Sequence, residues 1–138
     1  MSNDESRTNI RSGAPWEPRV GYSRAVRVGN FVAVSGSAAV SDDGEIVGEG
    51  DAYAQAVRCT EVIRTALQEA GAEMRHVFRT RIFVTDIGLW EDVARAHQEA
   101  FGASPPATSM VEVSKLIDPR MLVEIEADAI VDNDCRSQ

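Results

Sequence analysis

The sequence predicts an α+β domain in which a mixed β-sheet carries two helices on one face. One observation is a pair of long stretches whose apolar residues recur at helical spacing, and the other is a set of short stretches that alternate apolar and polar residues. Along the chain these patterns run strand, strand, helix, strand, helix, strand, strand. Because some strand patterns are apolar on both sides, we expect a second subunit to cover the other sheet face.

The composition fits one globular domain of 138 residues, 43% of them hydrophobic. A formal net charge of -8 argues against nucleic acid as a partner, because that affinity comes mainly from Lys and Arg on phosphates. No apolar run approaches the roughly 18 residues that a membrane helix needs. Cys59 and Cys135 lack metal-ligand spacing and no signal peptide precedes the domain, so we expect a cytoplasmic protein without membrane contact.

The ends of the chain are polar. Residues 1–14 are predicted to form a flexible N-terminal tail, residues 15–131 the folded domain and residues 132–138 a polar C-terminal tail. Trp16 and Pro18 suggest that the first residues of the domain pack down as an extended arm.

The first half of the domain has a hairpin and a helix. Strand patterns over residues 22–28 and 31–35 flank Gly29-Asn30, which predicts a tight turn. Asp51 is a suitable N-cap for a helix over residues 52–70.

The next two elements are a strand over residues 76–86 and a helix over residues 89–101. On the strand, Phe78 is expected to lie on the same face as Thr80, while His76 is expected to be exposed. On the helix, Trp90 and His97 are expected to pack inwards, and His97 is interpreted as a packing histidine rather than a base.

Two further strand patterns, over residues 106–113 and 123–128, close the domain. We expect these two strands to be neighbours, which would bring hydroxyl and acidic side chains together. On the second strand, Glu124, Glu126 and Asp128 alternate with apolar residues. A solvated or salt-bridged face is the preferred interpretation of these carboxylates, with Arg79 and Arg81 as partners. No zinc spacing, phosphate loop or nucleotide fingerprint occurs, so we expect no metal and no cofactor.

Taken together, these stretches resemble the Rid family, also described as YjgF-type imine deaminases or endoribonuclease L-PSP. The resemblance covers residues 22–131 and is carried by Tyr22-Ser23-Arg24-Ala25-Val26-Arg27-Val28-Gly29-Asn30, Val34-Ser35-Gly36, Gly44-Glu45-Ile46-Val47, Thr85-Asp86, Pro106-Ala107, Val111-Glu112-Val113 and Val123-Glu124-Ile125-Glu126-Ala127. It implies a chorismate-mutase-like fold and a homotrimer whose sheets form an inner β-barrel. It also implies small-molecule clefts between neighbouring subunits.

The resemblance further implies hydrolysis of enamines and imines to keto acids and ammonia. In deaminating members, an arginine in a Pro-Ala-Arg-Ser segment holds the substrate carboxylate through a two-pronged contact. Here Thr108 follows Pro106-Ala107 in place of that arginine, and Met110 stands where some members have a cysteine. A lost contact of this kind costs about 2–5 kcal/mol. The 2-imino acids of the deaminating members are therefore not the expected substrates.

By this resemblance Glu124 positions the attacking water, while a tyrosine and a Ser-Gly pair line the pocket. The candidate catalytic residues are Glu124 and Thr108, and the candidate substrate-binding residues are Tyr22, Ser35, Gly36, Ser109, Met110, Arg24 and Arg81. Arg24 or Arg81 is the hypothetical replacement for the missing anion contact.

One alternative to catalysis stays open. Glu124 is also explained as part of the polar face of a half-buried strand, and Tyr22 as interface core. The chain would then be a non-catalytic trimer that binds a metabolite in the same cleft. Ribonuclease activity fits poorly, because the sequence has no basic stripe.

Overall fold

A six-stranded mixed sheet is the framework of residues 7–132, the part of the chain that the computed structural model describes. In chain order the elements are β1 (Arg7–Ile10), α1 (Trp16–Val20), β2 (Ala25–Val28), β3 (Phe31–Ala38), α2 (Ala52–Glu69), β4 (Val77–Val84), α3 (Trp90–Phe101), β5 (Ala107–Glu112) and β6 (Val123–Ile130). The strand order across the sheet is β1-β2-β3-β6-β4-β5, and β4 runs parallel to β5 whereas the other neighbours are antiparallel. The predicted α+β class with a mixed sheet is confirmed.

The hydrophobic core lies between one face of this sheet and the two long helices. Ile63 and Leu67 of α2 are buried with Val93 and Phe101 of α3. The alternation predicted for β6 is present: the core-facing residues Val123, Ile125, Ala127 and Ala129 are at most 1% exposed. Successive side chains of a strand point to opposite faces, so the carboxylates of β6 lie on the face without helices.

The turn of the hairpin and the start of the first long helix lie where the sequence predicts, while β2 begins three residues later than predicted. Gly29-Asn30 links β2 to β3, with Val28 opposite Phe31 in the register. The Asp51 carboxylate accepts a hydrogen bond from the Ala54 amide at 3.0 Å, which satisfies one of the free N–H groups at the start of α2.

The N-terminal region differs from the prediction. Residues 7–10 form β1, which pairs with β2, although the sequence predicted a structureless tail. Pairing with an edge strand satisfies backbone groups even where apolar periodicity is weak. Trp16–Val20 is a short helix rather than an extended arm. Residues 1–6 and 133–138, with Cys135, lie outside the described part.

The expected adjacency of the last two strands is wrong. β4 lies between them, so that Thr80 is opposite Thr108 on one side and Ala127 on the other. The parallel pairing of β4 with β5 is explained by α3, because parallel neighbours require a crossover connection.

Three further expectations about side-chain burial are wrong, and a register irregularity in β4 explains the one for Phe78. Between Val77 and Arg79 the pairing with β6 shifts, and Val77 is buried while Phe78 is 43% exposed. A bulge of this kind moves side chains to the other face. His76 is buried rather than exposed, and Trp90 is 50% exposed rather than packed inwards.

Candidate functional site

Glu124 lies directly against the backbone of Gly36. The pairing of β3 with β6 is irregular between Val34 and Ser37, where strand β3 passes the Glu124 side chain. A methyl group added at Gly36 would overlap Oε2 of Glu124. A glycine in a strand often marks such a close approach, and here it makes room for the carboxylate.

Arg24, directly before β2, joins this contact. Its guanidinium is buried, and Nη2 donates a hydrogen bond to the Gly36 carbonyl at 2.9 Å. The guanidinium carbon lies 5.5 Å from the centroid of the Tyr22 ring, a distance that allows a cation–π interaction. Among the described residues, Arg24 Nε is a buried nitrogen without a hydrogen-bond partner.

Ser35 fixes the loop that precedes Arg24. Its hydroxyl donates to the Ser23 carbonyl at 2.7 Å, and its amide donates to the Arg24 carbonyl at 3.0 Å. The Asn9 side chain of β1 donates to the Ser23 hydroxyl at 2.9 Å. The unpredicted strand β1 therefore supports the segment that carries Tyr22 and Arg24.

Five predicted residues thus lie together on the sheet, and we call them the Glu124 cluster: Tyr22, Arg24, Ser35, Gly36 and Glu124. Burial raises the pKa of the Glu124 carboxyl, an effect that the nearby Glu126 reinforces and the Arg24 guanidinium opposes. A carboxyl with a raised pKa holds a proton more readily than an exposed one, which suits general acid–base chemistry.

Thr108 belongs to a second group on the other face of the sheet. The Thr80 hydroxyl lies 2.8 Å from Nε2 of His97 and 2.8 Å from the Thr108 hydroxyl. Burial lowers the pKa of His97, which favours the neutral imidazole at pH 7. We call His97, Thr80 and Thr108 the Thr108 relay, because its hydrogen bonds connect the buried side of α3 to the sheet edge.

The Thr108 relay borders a cleft of about 290 Å³ between α3 and β5. The cleft is lined by Ile82, Ala94, His97, Gln98, Phe101, Gly102, Pro105, Pro106, Thr108 and Met110. Apart from His97, none of these side chains can carry a charge. A larger cleft of about 350 Å³ lies between His76, Phe78 and Pro106. Glu124 lines neither of them.

Ser109 and Arg81 lie on the same sheet face as Glu124. They are opposite each other in the register of β4 and β5. Arg81 Nη1 donates to Glu126 at 3.1 Å and to Asp128 at 3.3 Å. The predicted pairing of Arg81 with the β6 carboxylates is confirmed, and it argues against a free anion-binding role for Arg81.

A single chain does not unite the two predicted catalytic residues. Thr108 points to the same face as Thr80 and the buried Ala127, whereas Glu124 points to the opposite face. Met110 accompanies Thr108 in the cleft. The candidate residues therefore lie in two separate groups on opposite faces of the sheet, one with Glu124 and one with Thr108, which we call half-sites.

The model of the endoribonuclease L-PSP family matches residues 13–131. The chain belongs to this family. An uncharacterised protein of Streptomyces coelicolor is 36% identical over 125 residues, covering 91% of this chain and 92% of that protein. The 3-aminoacrylate deaminase RutC of Acinetobacter baylyi is 32% identical over 122 residues, covering 88% of this chain and 95% of that enzyme.

The fold agrees with solved structures of the same family. A crystal structure of a Mycobacterium tuberculosis member of the YjgF/YER057c/UK114 family is similar with a TM-score of 0.84 and 50% sequence identity. The match covers 91% of this chain and 100% of that one. The predicted Rid/YjgF membership is confirmed.

For this L-PSP family member, sequence reasoning missed the Thr108 relay. The sequence places Thr80 on one face of its strand and His97 on an inner helix stripe, but nothing in the sequence shows that β4 adjoins β5. Asn9 was missed because its strand lies in the predicted tail. In residues 7–132, no group of three or more His, Cys, Asp or Glu side chains could hold a metal ion. No helix in that range is both long and apolar enough to cross a bilayer.

Proposed function

We propose that the chain is a Rid-type hydrolase acting on the C–N bond of a small imine or enamine. The observation that carries this proposal is the Glu124 carboxylate, half-buried on Gly36 beside Arg24, with a pKa raised by burial. The relative RutC is named as a deaminase of 3-aminoacrylate, which is an enamine. The family therefore includes chemistry for which such a carboxyl is suited.

The working form in this proposal is a cytoplasmic homotrimer with small-molecule clefts between subunits. Two features support it. The half-sites of Glu124 and Thr108 lie on opposite sheet faces of one chain, so a site that uses both needs a second copy. The sheet face without helices also exposes Phe31, Phe78, Val111 and Ile130, each more than two-fifths accessible, as expected of a face that packs against other subunits.

In the proposed reaction, the Glu124 carboxylate orients a water molecule towards the carbon of the C=N bond. The water oxygen bonds to that carbon, and the nitrogen leaves as ammonia or an amine when the C–N bond breaks. The protons that water loses are transferred to the departing nitrogen. Glu124 is suited to relay one of them, because its raised pKa favours accepting and then returning a proton.

Thr108 is proposed to hydrogen-bond the substrate, with Ser109 and Met110 beside it. Threonine is neutral, and within the cleft that it lines no guanidinium is present. The proposed substrate therefore differs from the 2-imino acids and lacks a carboxylate at this position. Arg24 is the remaining candidate for an anion contact, because Arg81 already binds two carboxylates.

The test is the hydrolysis of imines generated in situ by an amine oxidase, with unreacted imine trapped by semicarbazide. Wild type is expected to accelerate imine decay, and Glu124→Gln is expected to lose a factor of about 10²–10⁴. Light scattering and thermal melting check that the variant keeps the assembly and fold. An equal rate for wild type and Glu124→Gln would refute the role of Glu124.

A metabolite-binding protein is the second candidate, and the absence of an arginine at Thr108 favours it. It predicts ligand-dependent melting without product. Failure of wild type to accelerate any imine, together with a melting shift by a non-hydrolysed analogue, would replace the hydrolase by this candidate.

A further inference from the structure

The Thr108 relay leaves one hydrogen-bonding position open at the cleft between α3 and β5. Thr80 is fully buried, and its hydroxyl is engaged by both His97 and Thr108 at 2.8 Å. Within residues 7–132, the only other hydrogen-bond contact of the Thr108 hydroxyl is the Pro106 carbonyl at 3.4 Å, which is long for a hydroxyl donor. Thr108 itself is exposed, so its hydroxyl can bind a ligand without breaking the relay.

Two hydrogen-bond directions are compatible with a neutral His97. If Nε2 is protonated, it donates to Thr80, Thr80 donates to Thr108, and Thr108 is free to donate to a ligand. If Nδ1 is protonated instead, Thr80 donates to His97 and Thr108 donates to Thr80, which leaves Thr108 as an acceptor. A carboxamide offers both a carbonyl and an N–H group, and it therefore fits either direction.

The rest of the cleft disfavours a charged ligand and favours an apolar one. Its walls include Ile82, Ala94, Phe101 and Met110, and among its lining side chains only His97 is ionisable. Burial lowers the pKa of His97, so no cation stabilises an anionic ligand there. An ion that loses water without a partner pays a large desolvation penalty.

The size of the cleft suits a small ring. A cavity of about 150 Å³ lined by apolar side chains is enough to bind benzene. The cleft of about 290 Å³ leaves room for a ring and a polar substituent directed at Thr108.

We propose that this cleft binds an uncharged, mainly apolar small molecule whose carbonyl or amide group is recognised by the Thr108 hydroxyl. His97 is a positioning residue that acts through Thr80. The inference rests on the proposed function in one respect: it takes the cleft to be the part of the substrate site that holds the substituent remote from Glu124.

The test compares three probes of similar shape, namely benzamide, benzoate and toluene, by amide chemical-shift titration of the intact protein. Benzamide is expected to bind wild type at least tenfold more tightly than benzoate, with shifts centred on Thr108 and Phe101. Thr108→Val removes the hydroxyl without changing the shape, and we expect about tenfold weaker benzamide binding, as for one neutral hydrogen bond. Toluene binding is expected to stay unchanged.

The variants separate recognition from damage to the fold. Thr65→Val, on the exposed side of α2, is the matched control and should bind all probes as wild type does. His97→Phe keeps a ring against Phe101 but removes the contact with Thr80, so the ratio of benzamide to toluene affinity should fall. A collapsed cleft would lower both affinities and leave that ratio unchanged.

Equal affinity for benzoate and benzamide, or benzamide binding that survives Thr108→Val, would overturn the inference. Absence of benzamide binding to wild type would overturn it as well. These results concern recognition at Thr108, whereas the comparison of wild type with Glu124→Gln measures imine hydrolysis separately, so failure of the cleft and failure of the hydrolase proposal are distinguishable.

Discussion

The Glu124 cluster and the Thr108 relay lie on opposite faces of one sheet, and burial shifts the pKa of their ionisable groups in opposite directions. The Glu124 cluster sets a buried guanidinium beside a half-buried carboxyl whose pKa is raised. The Thr108 relay is formed by two hydroxyls and a histidine whose pKa is lowered by burial. The difference is the basis of the proposed division of labour, in which proton transfer belongs to the first group and neutral recognition to the second.

The largest expected effect is on the Glu124 cluster, from Gly36→Ala. The added methyl group overlaps Oε2 of Glu124, and the carboxylate moves because it is the flexible end of a side chain. We expect turnover to fall by a factor of about 10²–10⁴, as on loss of a general acid–base group, with little change in thermal melting. Turnover equal to wild type would show that the position of this carboxylate is unimportant.

A double variant sharpens this prediction. If Gly36→Ala acts only by displacing Glu124, adding Glu124→Gln should cause no further loss of turnover, because the two changes affect the same group. If the losses of turnover from Gly36→Ala and Glu124→Gln multiply in the double variant, Gly36 has a role beyond positioning Glu124.

The next effect is on the Thr108 relay, from Thr80→Val. This change leaves the half-buried imidazole of His97 and the Thr108 hydroxyl without their shared partner, and we expect a loss of about 1–3 kcal/mol in the free energy of unfolding. Urea denaturation measures it. Thr65→Val is the surface control and should stay within about 0.5 kcal/mol of wild type. A loss no greater than that of the control would mean that the relay does not stabilise the fold.

Glu124→Gln is expected to change stability in a pH-dependent way. Since the folded-state pKa of Glu124 is raised, the charged form costs stability at pH 7, and the neutral amide avoids that cost. The variant should therefore be the more stable protein at pH 7, and its advantage should disappear as the pH falls below the ordinary carboxyl pKa of about 4.3. Denaturant midpoints at pH 7 and pH 4 compare the two, and an advantage that does not depend on pH would contradict this explanation.

The smallest effect concerns His97. Its pKa is lowered in the folded state, so the unfolded chain binds the proton more readily and stability falls as the pH drops below about 6.5. His97→Phe should remove this part of the pH dependence between pH 7.5 and 5.5. An unchanged slope would show that His97 does not contribute to it.

The sequence predicted local structure well, because local structure depends on neighbours along the chain. The alternation of β6 and the Asp51 cap of α2 followed from periodicity and from capping chemistry. Strand order depends on contacts far apart in sequence, and the insertion of β4 between β5 and β6 was not predicted for that reason.

The candidate site divides in the same way. Four residues of the Glu124 cluster came from the family resemblance, and Arg24 was proposed as a replacement for the missing anion contact. The structure brings them together around the irregular pairing at Gly36. The Thr108 relay needed the contact of β4 with β5, which no pattern in the sequence indicates. The bulge that turned Phe78 outwards also has no sequence signal, because a single extra residue leaves the alternation of its neighbours unchanged.

The most direct measurement is a side-by-side assay of wild type and Thr108→Arg. Each protein is given an imine that lacks a carboxylate, made by an amine oxidase, and a 2-imino acid of similar size, made by an amino-acid oxidase. If the Thr108 cleft recognises a neutral group and Glu124 is catalytic, wild type should prefer the uncharged imine. Thr108→Arg should shift the preference towards the imino acid. A wild type that prefers the 2-imino acid would contradict the account and would direct attention to Arg24.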